Sequence, residues 1–309
     1  MLQYALLHLS GYDLPLSELE AFRQWDSLCP GHPEFGHTIG IEATTGPLGQ
    51  GISTGVGMAL AEHWLASRYN RDGHDVVDHY VYAVVGDGDM QEGISSEAAS
   101  FAGELGLSKL IAIYDHNGIQ IEGSTSLAFR ENVPDRFRAY DWHVIELEPE
   151  ATLDEIELAL RDAQSVTDKP SLIVLPTHIG YGSPNKQDSA AAHGAPLGEE
   201  EVKLTKEALG WRWEEPFYIP PEVTELFKGV GSRGIELQNE WSQKFEAYAD
   251  AYPEEAGELQ RILNGEPSPA LAAAPAPQIA ASEPAIATRS ASGKALNWLL
   301  PLVPELIGG

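Results

Sequence analysis

Apolar residues follow two rhythms along this chain. Short aliphatic or β-branched runs, Tyr80 to Val85, Leu110 to Tyr114, Trp142 to Leu147 and Ser171 to Leu175, have the length of strands. Helix-like stretches separate them: about Met90 to Gly106 between the first two, and amphipathic Leu153 to Gln164 between the last two. This alternation predicts an α/β fold, a parallel β-sheet flanked by helices. Other segments read as helices: residues 1–10, an apolar and buried one; Ser17 to about Trp25, behind a Ser17/Glu20 capping box; 52–69; Glu199 to Leu209; and a long stretch from Pro221 to Leu263. Gly55, Gly57, Ala59 and Ala61 suit the helix at 52–69 to close packing in a core or subunit contact. Trp211, Trp213 and Tyr218 suit core packing in a loop.

Three stretches break the rhythm. Residues 29–51 and 177–198 are rich in glycine and proline and too long for simple connectors, a length at which loops are often functional. Residues 265–287 hold so much proline and alanine without period that they read as an exposed linker.

The first two strands and the helix between them form a βαβ unit. Its right-handed crossover makes the strands parallel, so their carboxyl ends share the sheet edge at which α/β folds bind ligands. Gly86-Asp87-Gly88-Asp89 leaves the first strand there, and Asp115-His116-Asn117-Gly118-Ile119 leaves the second. Alone, a Gly-Asp-Gly-Asp run is ordinary turn chemistry. Paired with Asn117, the Asp87 carboxylate offers hard oxygen donors for Mg²⁺ or Ca²⁺, and Mg²⁺ fills its remaining positions with phosphate and water. A metal-bridged diphosphate is the expected ligand. Gly86 and Gly88 permit backbone approach to a phosphate, and a helix N-terminus near Met90 would face it.

Composition narrows the partners. With 47 acidic residues against 19 basic ones, the formal charge of −28 argues against nucleic acid or an anionic membrane surface and is consistent with solvated acidic faces. The single cysteine, Cys29, excludes an intrachain disulfide, no apolar run reaches membrane-spanning length, and the first residues lack the basic flank of a signal peptide. A cytoplasmic location is expected.

The run GDGDxxEG at 86–93, followed by YDxNxIxIxG at 114–123, resembles the thiamine-diphosphate motif of transketolases. Loop 29–51 resembles two further elements of that family, Pro30-Gly31-His32-Pro33-Glu34 and Gly46-Pro47-Leu48-Gly49-Gln50-Gly51. Loop 177–198 resembles a third through His193-Gly194-Ala195-Pro196-Leu197, although its centre at 187–192 departs from the family forms. The tail 288–309 resembles the opening of the family's pyrimidine-binding domain.

The resemblance implies transfer of a two-carbon ketol unit from a ketose phosphate to an aldose phosphate, in the pentose phosphate pathway, by a homodimer carrying thiamine diphosphate and Mg²⁺, with Ca²⁺ or Mn²⁺ as substitutes. By resemblance, Asp87, Asn117 and the Ile119 carbonyl hold the metal. Gly46, Pro47, Leu48, Gly88, Asn117 and His193 hold the cofactor. His32 and His193 reach the substrate and transfer protons, Glu92 communicates across the subunit interface, and Arg289 grips the sugar phosphate. Residues 1–264 then form the diphosphate-binding domain, 265–287 the linker and 288–309 the first helix of a second domain. His63, His74 and His79 are expected to be structural or surface histidines, and His178 is unassigned.

In the family pattern a Gly-His-Gly-Ser segment precedes residues 1–14, and Ser-Ala-Asp-Leu follows Gly309. The sequence is therefore expected to be a fragment, or to start at an internal methionine, with little activity alone because the upstream histidines and the pyrimidine-domain glutamate lie outside it. The alternatives are a related ketol transferase, a subunit of a split enzyme, or a non-catalytic module that keeps the fold.

Overall fold

Four of the apolar runs form one parallel sheet. The computed structural model describes residues 1–275, 277 and 285–308. In chain order the elements are α1 (Leu2–Leu9), α2 (Leu16–Glu20), α3 (Gln50–Tyr69), β1 (Val81–Gly86), α4 (Asp87–Gln91), α5 (Gly93–Glu104), β2 (Leu110–His116), β3 (Ile119–Gln120), β4 (Gly123–Ser124) and α6 (Val133–Ala139). There follow β5 (His143–Glu146), α7 (Leu153–Ser165), β6 (Ser171–Pro176), α8 (Glu199–Ala208), α9 (Pro221–Ala251), α10 (Pro253–Leu263), α11 (Pro269–Ala273) and α12 (Thr288–Leu299). The sheet order is β1-β2-β6-β5, with every pairing parallel, and β3-β4 is a separate short hairpin.

The chain divides into two compact units, residues 1–68 with 77–238, and residues 69–76 with 239–309. In the first unit, one face of the sheet packs Val81, Ala83, Val85, Leu110, Ala112 and Leu172 against Ile52, Val56 and Ala59 of α3, Ala99 and Ala102 of α5, and Phe137 of α6. The opposite face packs Ile111 and Ile173 against Ala159 and Ala163 of α7. Each valine, leucine, isoleucine or phenylalanine side chain removed from water here contributes roughly 1.5–3 kcal/mol, and each alanine methyl about 0.8 kcal/mol. Gly55 faces this core, where an added Cβ would lie 3.6 Å from that of Ala83, whereas Gly57 faces open space. Only part of the small-residue face expected of α3 is therefore core.

Several expected details change. β1 is an edge strand, so its apolar run is buried on one face only, and Tyr82 and Val84 are exposed. α1 buries Tyr4 alone and leaves Leu2 exposed, so it is not the buried helix that its composition suggests. α2 starts after Pro15, which puts Ser17 inside the first turn instead of at the cap. It ends at Glu20, and Arg23 and Asp26 then take the left-handed conformation, which stops the helix before Trp25. The long helical stretch breaks at Tyr252, because the residue before Pro253 is driven out of helical geometry. Trp211 meets Trp213 edge-on at 4.8 Å, Trp213 stacks on Tyr218 at 5.2 Å, and none of the three is among the buried core residues.

In the second unit, Arg261 of α10 donates to both carboxylate oxygens of Glu305, at 2.9 and 3.2 Å. The Pro/Ala-rich stretch is not all irregular, since it contains α11, capped by the Ser268 hydroxyl, which accepts the Leu271 N–H at 3.0 Å. Residues 276 and 278–284 of that stretch lie outside the described residues.

Candidate functional site

Strand register sets the site. Gly86 pairs with Asp115 and His116 with Pro176, so β1, β2 and β6 end level and deliver Asp87, Asn117 and Thr177 to one edge. Asp87 is 3 % exposed. Its Oδ2 accepts the N–H groups of Asn117 at 3.1 Å and Gly118 at 2.8 Å. Its Oδ1 accepts the Tyr114 hydroxyl at 2.5 Å and faces His116 Nδ1 at 3.0 Å. Burial pushes the Asp87 carboxyl up, but the hydrogen bonds from His116, Tyr114 and Gly118 outweigh it and leave the pKa below its ordinary value. The hydrogen bond to Asp87 raises the His116 pKa, while burial first and then Asp87 raise that of Tyr114. The pocket therefore holds a buried carboxylate ionised at neutral pH.

Tyr114 and His116 were not singled out in the sequence, although their spacing of two on a strand puts both on one face, the signal that could have found them. The expected helix near Met90 instead starts at Asp87, because the Asp89 carboxylate takes the Gly86 N–H at 2.8 Å and caps α4 immediately. Glu92 then adopts an extended conformation between α4 and α5, and its side chain is exposed.

The loop at 29–51 lies on this turn. An added Cβ on Gly46 would fall 2.3 Å from the His32 ring, and one on Gly88 would fall 3.1 Å from Leu48 Cδ1. Gly49 donates its N–H to Asp89 Oδ1 at 2.8 Å, and a Cβ there would lie 3.0 Å from that of Glu92. The fold thus gathers His32, Gly46, Leu48, Gly88, Glu92, Asp87 and Asn117, and Pro47 is carried between Gly46 and Leu48. Asp89, which the motif did not single out for a role, is what joins the two segments.

Loop 177–198 leaves from the same edge. The Thr177 hydroxyl donates to Asp115, and His178 Nδ1 lies 2.9 Å from Asp188 Oδ1. Glu201 of α8, 8 % exposed, accepts the Ser183 hydroxyl, the Asn185 N–H at 2.9 Å and the Asn185 side-chain amide at 2.9 Å. Glu201, missed in the sequence, is the loop's internal anchor. His193 is exposed on this loop, and no side-chain hydrogen bond among the described residues joins it to Asp87 or His32. Arg289 lies on α12 in the second unit.

The residues present fit a metal-bridged diphosphate. At Gly46 and Gly88 an added Cβ would meet His32 and Leu48, so only glycine lets these two segments close on each other, and the donors are oxygens: the Asp87 carboxylate and Asn117 Oδ1, which accepts the Ile119 N–H at 3.0 Å. No group of three or more His, Cys, Asp or Glu that could hold a metal occurs among the described residues, so a protein-only site of that kind is not what the geometry offers.

Fold and site define a thiamine diphosphate-binding α/β domain: residues 1–268 match the family description "Transketolase, thiamine diphosphate binding domain". The chain belongs to the transketolase family. It is 51% identical over 310 residues to a transketolase of Halalkalibacterium halodurans, and 51% identical over 312 residues to transketolase 1 of Escherichia coli; each alignment covers 100% of this chain and, respectively, 46% and 47% of the relative. A solved Leishmania mexicana transketolase superposes with a TM-score of 0.89 at 42% identity, over 98% of this chain and 45% of that one. A Pichia stipitis transketolase solved with sedoheptulose-7-phosphate gives 0.91 at 43% identity, over 100% and 45%. The chain spans about half the length of the curated relatives it matches.

Proposed function

We propose that this chain is the diphosphate-binding part of a transketolase, serving transfer of a two-carbon ketol unit between a ketose phosphate and an aldose phosphate. One observation carries the reading: the buried Asp87 carboxylate at the end of β1 is fixed by the amides at the end of β2, beside the glycine loop that covers Gly88. Asp87, Asn117 and the Ile119 carbonyl would hold Mg²⁺, and Gly46, Pro47, Leu48, Gly88, Asn117 and His193 the cofactor. Thiamine diphosphate, when bound, supplies the carbanion chemistry. The protein's part is to bind and orient. His32 and His193 hold and move protons at substrate oxygens. Arg289 binds the substrate phosphate with its planar fork, and Glu92 contacts a second subunit of a homodimer.

The same reading assigns residues 1–264 to the diphosphate-binding domain, 265–287 to a linker and 288–309 to the opening of the pyrimidine-binding domain. It puts the protein in the cytoplasm and in the pentose phosphate pathway. No helix among the described residues is long and apolar enough to cross a membrane.

Thermal melting tests the assignment. Thiamine diphosphate with Mg²⁺ should raise Tm, because a ligand at 100 times its Kd stabilises the folded state by about 2.7 kcal/mol. Asp87→Ala should abolish the rise. An equal rise in both proteins would remove Asp87 from the metal site, and no rise in the unmodified chain would remove the cofactor from this portion of the protein.

A further inference from the structure

We propose that Asp89 is a positioning residue, a strut that fastens segment 46–49 to the turn at 86–88 and so sets the spacing between the two halves of the cofactor site. Its carboxylate stands between the two segments. Oδ1 accepts the Gly49 N–H at 2.8 Å and Oδ2 accepts the Gly86 N–H at 2.8 Å. Its backbone carbonyl accepts the Ser95 hydroxyl at 2.6 Å, which ties Asp89 to the first turn of α5. The Gly49 end is equally fixed. Gly49 is buried with φ +77°, and an added Cβ would fall 2.7 Å from Ile94 Cγ2 and 2.9 Å from Ser95 Oγ. Leu48, the residue before it, rests on Gly88.

A carboxylate suits this place because it is acceptor-only and can serve two N–H donors at once. An amide of the same shape cannot, since its NH₂ group would face one of them. The Gly86 bond closes a local turn, whereas the Gly49 bond spans 40 residues, so the single side-chain oxygen left by Asp89→Asn serves Gly86 at lower entropic cost. The loss then falls on segment 46–49.

The inference rests on the proposed function in one respect: residues 46–48 touch the thiamine end of the cofactor and the 86–88 turn touches its diphosphate. Two measurements on the unmodified chain and Asp89→Asn keep the two apart. In the ligand-free proteins, amide hydrogen exchange at 46–50 should quicken about tenfold in the variant, the effect of losing one charge-assisted hydrogen bond, while exchange in α5 stays as it was. In titrations with Mg²⁺, affinity for thiamine diphosphate should fall about tenfold further than affinity for inorganic pyrophosphate, which reaches only the turn. Gly49→Ala, strained at the same junction from the other side, should shift the same two quantities.

Unchanged exchange at Gly49 in Asp89→Asn would overturn the strut whatever the chain binds. An equal fall in affinity for both ligands would also overturn it, by confining Asp89 to the diphosphate turn. Quickened exchange in a chain that binds neither ligand would support the strut and overturn the cofactor reading.

Discussion

The Tyr114 hydroxyl and the Asp87 carboxylate meet at 2.5 Å, both buried, at the ends of adjacent parallel strands. Tyr114 remains protonated because burial and the neighbouring charge raise its pKa, and Asp87 remains ionised because its donors lower its own. A neutral hydroxyl therefore faces a charged carboxylate at this sheet edge.

Removing that hydroxyl separates the two donors on Oδ1. Tyr114→Phe should cost about 1.5–3 kcal/mol of stability, as expected for a buried hydrogen bond to a charged group, and should weaken Mg²⁺-dependent binding of thiamine diphosphate. His116 is different, because its side chain is 47% exposed and lines a cavity of 330 Å³ beside Asp87 that gives it room to move away. His116→Ala should keep the Mg²⁺-dependent rise in Tm. Chemical denaturation and ligand-dependent melting of both variants check these outcomes, and a lost rise in His116→Ala would show that the imidazole is needed at the site.

Gly103 of α5 has no room for any side chain. A Cβ there would fall 1.8 Å from the Tyr140 carbonyl oxygen, so the helix must shift away from the turn that carries Trp142. Gly103→Ala should destabilise the first unit by about 2–3 kcal/mol despite alanine's better helix propensity. A urea titration that finds the variant as stable as the unmodified chain would contradict this contact.

Glu62 of α3 supplies a pH dependence. It is buried, and burial raises its pKa, opposed by Lys109, His79 and His63 and reinforced by Asp78. Because the folded state holds this proton more tightly than the unfolded state does, stability is greatest below the ordinary carboxyl pKa. It declines as pH climbs through the window up to the raised value. Glu62→Gln should be at least as stable as the unmodified chain at neutral pH, with the difference vanishing near about pH 4. Melting curves across that range check the sign, and a variant that is less stable at neutral pH would show that the ionised carboxylate is a net stabiliser.

Much of the site was legible because its chemistry is local. A strand followed by Gly-Asp-Gly-Asp and a second strand followed by Asn117 place both ends on one sheet edge, because a crossover connection makes the strands parallel, whereas their level ending came from the strand register. Capping and edge effects were not legible in the same way. Whether Ser17 caps a helix depends on Pro15 starting it two residues earlier, and whether Val84 is buried depends on which strand stands at the sheet's edge.

By itself the sequence determined the α/β alternation, the placing of Asp87 and Asn117 at one sheet edge and the family, since these rest on local motifs and on the parallel connection of neighbouring strands. Only the tertiary structure decided that Tyr114 and His116 complete the Asp87 cage, that Asp89 joins Gly49 to Gly86, and that Glu201 anchors the loop of His193. The reason is physical. A carboxylate's partner is whichever donor the packing of distant segments brings within about 3 Å, and sequence spacing fixes that distance only inside one element.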